Sequence, residues 1–430
     1  MKYLPEKKKG VFAMSKLIIE GSHPLKGELE IHGAKNSALP LLAATILCHG
    51  QSCLHNCPAL SDVEVSVQIL RYLGCQAERQ KKSLLLSADS ISRYDIPDHL
   101  MREMRSSIVF LGAILARMGK ARLSLPGGCE LGPRPIDLHL KALRQMGVVI
   151  DESHGYLDCT TPHGLQGAPI ALLFPSVGAT ENIMLAAVLA KGVTIITNAA
   201  REPEIVDLAN FLNSCGAKIT GAGEGTVTIE GVERLQGVEH RIIPDRIAAA
   251  TYLAAAAVTG GCLELKHVET QHLGQILPMF EEAGCTVVAH RHTVRLQAPE
   301  RLQPIKMVRT MPYPGFPTDA QAPVMAMSAT ARGTSVFVEN IFECRYKHVG
   351  ELSRMGANIK VEGRVAVVEG VFRLSGARVE APDLRGGAAL VVAGVGADGV
   401  TELSGLRHID RGYESIEQTL STVGAVIKRI

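Results

Sequence analysis

The residues best suited to chemistry lie in one short loop, between Leu125 and His139. Cys129 follows two glycines and precedes Arg134, which lies between two prolines. Glycines let backbone amides approach a ligand closely, and prolines stiffen a loop. A guanidinium nearby favours a reactive thiolate and binds anions in a forked geometry. The pattern indicates a reactive thiol beside an anion site, and the alternative is a tight turn with a small buried hydrophobe at its tip.

Polar residues also stand at the start of six apolar helical segments. They include Lys35, Asn36, Arg105, Ser176 to Gly178, Asp245, Thr318, Asp319 and Arg385. Helix N-termini bind phosphate and carboxylate groups, and the turn from Ser176 to Gly178 is typical of a backbone nest for phosphate. Asp245, Thr318 and Asp319 are equally well explained as N-caps. If the six helices converge, five cations would surround one multiply charged anion: Lys35, Arg134, Arg345, Arg385 and Arg411.

Two series of glycines predict the scaffold that positions these residues. In each series the glycines follow a helical pattern and recur about every 70 residues. The series are Gly50, Gly119, Gly192, Gly260, Gly333 and Gly399, and Gly74, Gly147, Gly216, Gly284, Gly356 and Gly424. Each unit then has a strand, a buried helix, a strand, an outer helix and a strand pair, which predicts an α/β protein with three units in each of two domains. The second unit is about four residues longer, and its extra residues fall in the loop that carries Cys129.

The composition is that of a globular chain and excludes several other classes. The 430 residues carry a formal charge of +2, so no overall field would attract nucleic acid. The apolar stretches are too short for a membrane span, and no signal peptide is evident. With no Cys-x-x-Cys pair among the ten cysteines, we expect free thiols and a cytoplasmic location. Cys48, Cys53 and Cys57 fit packing better than a metal site, and residues 1–14 are expected to be a disordered tail, with Met14 an alternative start.

Seven ordered motifs make the chain similar to the UDP-N-acetylglucosamine enolpyruvyl transferases, which catalyse the first committed step of peptidoglycan synthesis. The motifs lie at residues 33–36, 125–139, 176–180, 200–205, 316–319, 351–356 and 408–413. The resemblance implies an inside-out α/β barrel of two domains, each with three βαβαββ repeats around buried helices. It also implies that the N-terminal strand near Leu17 to Ile31 joins the C-terminal half. The catalytic domain would comprise residues 15–34 and 244–430, and the UDP-sugar domain residues 35–243.

The resemblance also implies roles for individual residues. Cys129 would protonate the methylene carbon of phosphoenolpyruvate and can add to it covalently, which makes it the expected target of the epoxide fosfomycin. Asp319 would be the base near the sugar 3-hydroxyl. Lys35, Arg134 and Arg411 would hold phosphoenolpyruvate and stabilise a tetrahedral intermediate. The remaining substrate-binding residues would be Asn36, Arg105, Pro135, Ile136, Asp137, Leu138, Ser176, Val177, Gly178, Thr318, Ile341, Arg345 and Arg385.

Two positions of the chain differ from the residues found in some relatives. Phe174 stands where some relatives have lysine, and Val109 where others have tryptophan. The resemblance implies that both positions contact the uridine end of the sugar nucleotide. The chemistry needs only acid, base and cations, so no cofactor and no metal are expected.

The sequence leaves two alternative functions. The first alternative is the shikimate-pathway enolpyruvyl transferase, which lacks the Gly-Gly-Cys loop. The second is a non-catalytic sensor that kept the sugar-nucleotide pocket.

Overall fold

The computed structural model describes residues 15–125 and 136–430, apart from the side chain of Arg105. Its helices are α1 (Lys35–Ala44), α2 (Ser61–Leu73), α3 (Asp98–Glu103), α4 (Phe110–Met118), α5 (Asp137–Gln145), α6 (Val177–Ala187), α7 (Pro203–Ser214), α8 (Arg246–Val258), α9 (Leu277–Glu282), α10 (Thr318–Ser328), α11 (His348–Arg354), α12 (Leu384–Gly396), α13 (Leu406–Ile409) and α14 (Ile416–Ser421). Short 3-10 helices cover Thr45–Leu47, Arg105–Val109 and Thr270–Leu273. Within the described residues, every helix is too short or too polar to cross a bilayer.

The strands are short and evenly distributed along the chain. They are β1 (Leu17–Glu20), β2 (Lys26–Glu30), β3 (Cys48–His49), β4 (Gln51–His55), β5 (Gln76–Gln80), β6 (Ser83–Ser87), β7 (Asp95–Ile96), β8 (Lys120–Ser124), β9 (Val149–Ser153), β10 (Tyr156–Thr160), β11 (Pro169–Ala171), β12 (Val193–Thr197), β13 (Lys218–Thr220), β14 (Thr226–Glu230), β15 (Leu235–Gln236), β16 (Glu239–Arg241), β17 (Cys262–Lys266), β18 (Thr286–His290), β19 (Thr293–Gln297), β20 (Met307–Arg309), β21 (Thr334–Val338), β22 (Asn358–Glu362), β23 (Val365–Glu369), β24 (Arg378–Glu380), β25 (Val400–Ser404) and β26 (Val426–Arg429).

Four-stranded sheets of one design recur six times in the described part of the chain. Their strand orders are β16-β4-β6-β5, β7-β8-β10-β9, β11-β12-β14-β13, β2-β17-β19-β18, β20-β21-β23-β22 and β24-β25-β1-β26. In each sheet the first pair is parallel and the other two pairs are antiparallel. The sixfold repeat predicted from the glycines is therefore confirmed, and all twelve of those glycines have a positive φ, between 66° and 131°.

The N-terminal segment differs from the single strand expected near Leu17 to Ile31. It forms two strands, β1 and β2, which are separated by a break where Ser22 has a φ of 64°. β1 lies between β25 and β26, and β2 pairs in parallel with β17, so both complete sheets of the C-terminal half. In return β16 pairs with β4 in the first sheet. The chain thus crosses between the halves twice, and the break in the N-terminal segment lets it serve two sheets.

Six helices that are apolar on nearly all sides are buried, as their composition predicts: α1, α4, α6, α8, α10 and α12. They belong to two separate hydrophobic cores. One core is built from residues between Ala38 and Ile242, and the other from residues 17–31 together with residues 247–427. Close crossings need small residues: a Cβ at Gly112 of α4 would lie 2.2 Å from the carbonyl oxygen of Asn182 in α6.

Candidate active site

Two carboxylates hold four of the five cations that the sequence predicted to converge. Asp62 accepts from Lys35 Nζ at 2.7 Å and from Arg411 Nε at 2.9 Å. Asp319 accepts from Arg345 Nη2 at 2.8 Å and from Arg385 Nη2 at 3.0 Å. The fifth cation, Arg134, lies outside the described residues, as do Cys129 and Pro135, and the side chain of Arg105 is not described.

The N-terminal ends of buried and outer helices bring these side chains together. Lys35 is the first residue of α1, and Asp62 lies in the first turn of α2. Asp319 and Arg385 lie in the first turns of α10 and α12. The free amides and positive dipole ends of helices favour anions at this position. Helix starts from both halves of the chain therefore carry these charged side chains.

Contacts between the two halves join the two ion-pair groups. The amide of Lys35 donates to Asp245 Oδ2 at 3.2 Å, across the crossover. The side chain of Asn36, next along the chain, donates from Nδ2 to Asp319 Oδ2 at 3.4 Å. Asn36 therefore lies beside the carboxylate that the resemblance predicts to act as base.

The surrounding charges keep both carboxylates ionised. Burial alone would raise the pKa of Asp62, but Lys35 and Arg411 hold it below its usual value. Burial would likewise raise the pKa of Asp319, but Arg385 and Arg345 hold it well below its usual range. Burial lowers the pKa of Lys35, and the attraction of Asp62 opposes that shift. Four cations against two carboxylates leave an excess of positive charge, which suits a multiply charged anion.

The two buried arginines keep a free donor each. Arg385 Nη1 donates to the hydroxyl of Tyr413 at 3.2 Å, and Arg345 Nη2 also approaches the carbonyl of Thr318 at 3.4 Å. Among the described residues, neither Nε atom has a hydrogen-bond partner. Both Nε atoms are fully buried, and an unpaired buried guanidinium donor costs free energy.

The residues predicted to bind the sugar nucleotide form a second group. Ile136 immediately precedes α5, which starts with Asp137 and Leu138, whereas Val177 and Gly178 open α6. Ser176 is the N-cap of α6, and its side chain accepts from the amide of Ala179 at 3.3 Å. The starts of α5 and α6 adjoin, because a Cβ at Gly178 would lie 3.3 Å from Cε1 of His139.

His139 contributes to this second group and was missed by the sequence analysis. Gly112 donates to Asn182 Oδ1, so the amide nitrogen of Asn182 faces His139 Nδ1 at 2.9 Å and donates to it. Burial lowers the pKa of His139 to about 4, so the ring is neutral with its proton on Nε2. The motif at 125–139 ends at this residue, which was the only signal available in the sequence.

The N-cap alternatives have different outcomes. Asp245 is the N-cap of α8, and its side chain accepts from the amides of Ile247 and Ala248. For Thr318 and Asp319 the N-cap interpretation is wrong, because Pro317 occupies that position and both side chains bind other partners. Thr318 donates to Glu339 and Asp319 binds the two arginines, so neither is used to cap α10.

Asp62 is the principal site residue that the sequence analysis missed. An acidic residue in the first turn of a helix is ordinary, since it interacts favourably with the helix dipole. Its location between Leu60 and Val63, both fully buried, was the available signal, because an unpaired carboxylate is not tolerated there. The buried pair of Arg246 and Glu204, at 3.1 Å, was also not assigned from the sequence.

Of the three cysteines near the start of the chain, Cys48 and Cys57 are buried, as packing predicts, whereas Cys53 is partly exposed. Cys48 is buried and its Sγ lies 3.6 Å from Sγ of Cys215, while Cys57 is buried without a metal-like neighbourhood. Within residues 15–125 and 136–430, no three His, Cys, Asp or Glu side chains are arranged to hold a metal ion.

A buried carboxyl, Glu181 of α6, leads to a prediction about stability. Burial and the nearby charges of Glu204 and Glu202 raise its pKa well above the usual value. The folded state therefore retains a proton that the unfolded chain releases above about pH 4.3, so the contribution of Glu181 to stability is lost as the pH rises. Glu181→Gln is expected to raise the Tm, and more so at pH 8 than at pH 5, in calorimetric scans. An equal change at both pH values would contradict this origin, and Glu233→Gln at an exposed position is the control.

Comparisons with known proteins identify the chain. A family model described as EPSP synthase (3-phosphoshikimate 1-carboxyvinyltransferase) matches residues 19–420. The solved structure of the enolpyruvyl transferase NikO from Streptomyces tendae superposes with a TM-score of 0.88 at 24% identity, over 96% of this chain and 98% of that one. EPSP synthase from Acinetobacter baumannii superposes with a TM-score of 0.75 at 18% identity, over 97% and 99%. The chain therefore has the α/β fold of the EPSP synthase family and belongs to that family of enolpyruvyl transferases.

Relatives with higher sequence identity show to which group within this family the chain belongs. The chain is 52% identical over 417 residues to UDP-N-acetylglucosamine 1-carboxyvinyltransferase 2 of Caldanaerobacter subterraneus subsp. tengcongensis, covering 97% of this chain and 100% of that one. It is 46% identical over 419 residues to UDP-N-acetylglucosamine 1-carboxyvinyltransferase of Myxococcus xanthus, covering 97% and 99%. The chain belongs to the UDP-N-acetylglucosamine 1-carboxyvinyltransferase family, which confirms the resemblance stated from the motifs.

Proposed function

We propose that the protein transfers the enolpyruvyl group of phosphoenolpyruvate to the 3-hydroxyl of UDP-N-acetylglucosamine and releases phosphate. The observation that carries the proposal is the group of four cations and two carboxylates at helix N-termini, in a chain about half identical to enzymes with this name. The reaction would be the first committed step of peptidoglycan synthesis, in the cytoplasm, and no cofactor or metal takes part.

The cations would bind phosphoenolpyruvate. Lys35 and Arg411, with Arg134, would hold its phosphate and carboxylate, and Arg345 and Arg385 would assist. Binding of such an anion draws cations away from Asp62 and Asp319. Fixed cations are most useful where negative charge accumulates, which here is the tetrahedral adduct.

Proton transfers would accompany addition and elimination. The 3-hydroxyl oxygen of the sugar attacks the second carbon of phosphoenolpyruvate, its proton passes to Asp319, and Cys129 delivers a proton to the methylene carbon. Elimination then breaks the bond to the phosphate oxygen, which takes the proton from Asp319. The Cys129 thiolate takes a proton back from the methyl group, and the double bond is restored. Asp319 becomes an effective base only when the ligand has drawn Arg345 or Arg385 away, because both lower its pKa in this structure.

The fold would be an inside-out α/β barrel of two domains, and the two separate hydrophobic cores support this division of the chain. Residues 35–243, which contain the first core, would bind the UDP-sugar through Ile136 to Leu138 and Ser176 to Gly178. Residues 15–34 with 244–430, which contain the second core, would form the catalytic domain. Asp319, Thr318 and Ile341 would meet the sugar from that side, and Arg105 from the other.

The choice of acceptor tests the proposal. We expect phosphate release from phosphoenolpyruvate to require UDP-N-acetylglucosamine and not to occur with shikimate 3-phosphate. Release with shikimate 3-phosphate alone would contradict the proposal. Binding of UDP-N-acetylglucosamine without any release would instead favour the non-catalytic sensor.

Fosfomycin tests the role of Cys129 separately. Attack of a thiolate on the epoxide opens the ring and leaves a covalent thioether on Sγ. We expect mass spectrometry to find the adduct on the peptide that contains Cys129, and Cys129→Asp to resist inhibition. Equal sensitivity of wild type and Cys129→Asp to fosfomycin would contradict the assignment. Cys344→Ser, at an exposed cysteine, is the control and should remain sensitive.

A further inference from the structure

Glu339 joins two predicted sugar-binding segments, although neither the motifs nor the proposed chemistry assigns it a role. It follows β21 and is 1% exposed. Its Oε1 accepts from the amides of Ile341 and Phe342 at 2.8 and 3.0 Å, and from Thr310 Oγ1 at 2.9 Å. Its Oε2 accepts from Thr318 Oγ1 at 2.9 Å.

Every partner of Glu339 donates a hydrogen bond to it. Backbone amides can only donate, so Ile341 and Phe342 fix Oε1 as an acceptor. The hydroxyl of Thr310 accepts from the amide of Asn340 at 2.9 Å, so its proton points to Glu339. Both oxygens of a carboxylate act only as acceptors. Oε2 therefore also accepts, and the hydrogen of Thr318 Oγ1 is directed to it.

We propose that Glu339 is a positioning residue that makes the Thr318 hydroxyl an acceptor towards the ligand. A hydroxyl has one proton and two lone pairs, and the proton of Thr318 is engaged by Glu339. Only lone pairs remain for a ligand, so the group that meets Thr318 is a donor, an amide N–H or a sugar hydroxyl. This inference rests on the proposed function, because Thr318 adjoins Asp319, where the sugar would react.

The same contact links the loop to the ligand. Glu339 fixes the amides of Ile341 and Phe342, so the backbone of Ile341 is held at a constant distance from Thr318. A residue that only tied the loop together would need no bond to Thr318. The hydrogen bond to Thr318 therefore separates a positioning role from a purely structural one.

Two substitutions change this contact in different ways. Glu339→Gln keeps an oxygen for the three donors at Oε1 but places an NH2 donor opposite Thr318. The NH2 group donates to one lone pair of the Thr318 hydroxyl, so the hydroxyl proton turns outward. Thr318→Val removes the hydroxyl at similar size and leaves the loop contacts of Glu339 in place. Thr318→Val removes the acceptor that the ligand would use, whereas Glu339→Gln leaves one lone pair and places the hydroxyl proton where the second acceptor position was.

Calorimetric titration with UDP-N-acetylglucosamine measures the effect. We expect each variant to bind about tenfold more weakly than wild type, the net value of one hydrogen bond near a charged group. In steady-state assays the KM for the sugar nucleotide should rise similarly, with the KM for phosphoenolpyruvate changed less than about twofold.

The double variant should bind no more weakly than the weaker single variant, since one interaction is lost in each case. Thr330→Val, beyond the other end of α10, is the matched control.

The outcomes separate this inference from the proposed function. Wild-type affinity in Thr318→Val, or losses that add in the double variant, would overturn the inference. If Glu339→Gln does not fold, the binding of modified sugar nucleotides to wild type and to Thr318→Val tests the inference instead. Replacing the donor hydroxyl by fluorine, or masking the amide N–H by methylation, should weaken binding to wild type but not to Thr318→Val, and equal losses in both would overturn the inference. If wild type neither binds the sugar nucleotide nor releases phosphate, the proposed function itself is wrong.

Discussion

Replacement of Asp319 by asparagine is expected to lower kcat by about a thousandfold, within the range measured for positioned acid–base groups. The amide cannot accept the proton of the attacking hydroxyl, yet it keeps the size and position of the carboxylate. The change also leaves Arg345 and Arg385 without their anionic partner, so the affinity for phosphoenolpyruvate should not fall. Initial rates of phosphate release at saturating substrates measure kcat.

The control for this prediction is Asp398→Asn, because Asp398 also pairs with an arginine, at 2.7 Å from Arg373, but on the surface. It should retain wild-type rates. A kcat for Asp319→Asn within about threefold of wild type would show that another group takes the proton.

Replacement of Asp62 by asparagine is expected to reduce kcat/KM for phosphoenolpyruvate by about a hundredfold, an interaction loss of about 3 kcal/mol. Asp62 holds Lys35 and Arg411, which come from opposite halves of the chain, at one point. Without its charge the buried ammonium of Lys35 loses the main influence that raises its pKa, while burial, Arg411 and Arg385 continue to lower it. Lys35 should then lose its proton at a lower pH.

The pH profile distinguishes this mechanism from simple unfolding. A lower pKa of Lys35 moves the alkaline fall of kcat/KM to lower pH, so the defect of Asp62→Asn should grow as the pH rises. A defect that is constant across pH would contradict the mechanism. Asp98→Asn is the matched control, because Asp98 also lies in a first helical turn and pairs with Arg102 at 2.7 Å, but at the surface.

The repeated scaffold could be predicted because it depends on local chemistry. A positive φ favours glycine, so twelve regularly spaced glycines marked the twelve turns that precede strands of the repeated units. The apolar helices could only be buried. The exchange of β2 and β16 between halves had no such local signal, because either strand could pair equally well with the neighbour next along the chain.

The cations of the site were also predictable, but their partners were not. Lys35, Arg345, Arg385 and Arg411 stand in loops and helix starts whose sequences mark them. Asp62 and Glu339 lie in segments that look ordinary, and only long-range packing brings them to the site. A buried carboxylate is recognised by what surrounds it, which a sequence does not display.

One measurement tests the central claim most directly: analysis of the products of a single reaction with phosphoenolpyruvate and UDP-N-acetylglucosamine. If the convergent cations and Asp319 act as proposed, mass spectrometry and proton NMR will find a sugar nucleotide that carries an enolpyruvyl ether on the 3-oxygen, in an amount equal to the phosphate released. Phosphate without that product, or an ether on another oxygen, would contradict the account.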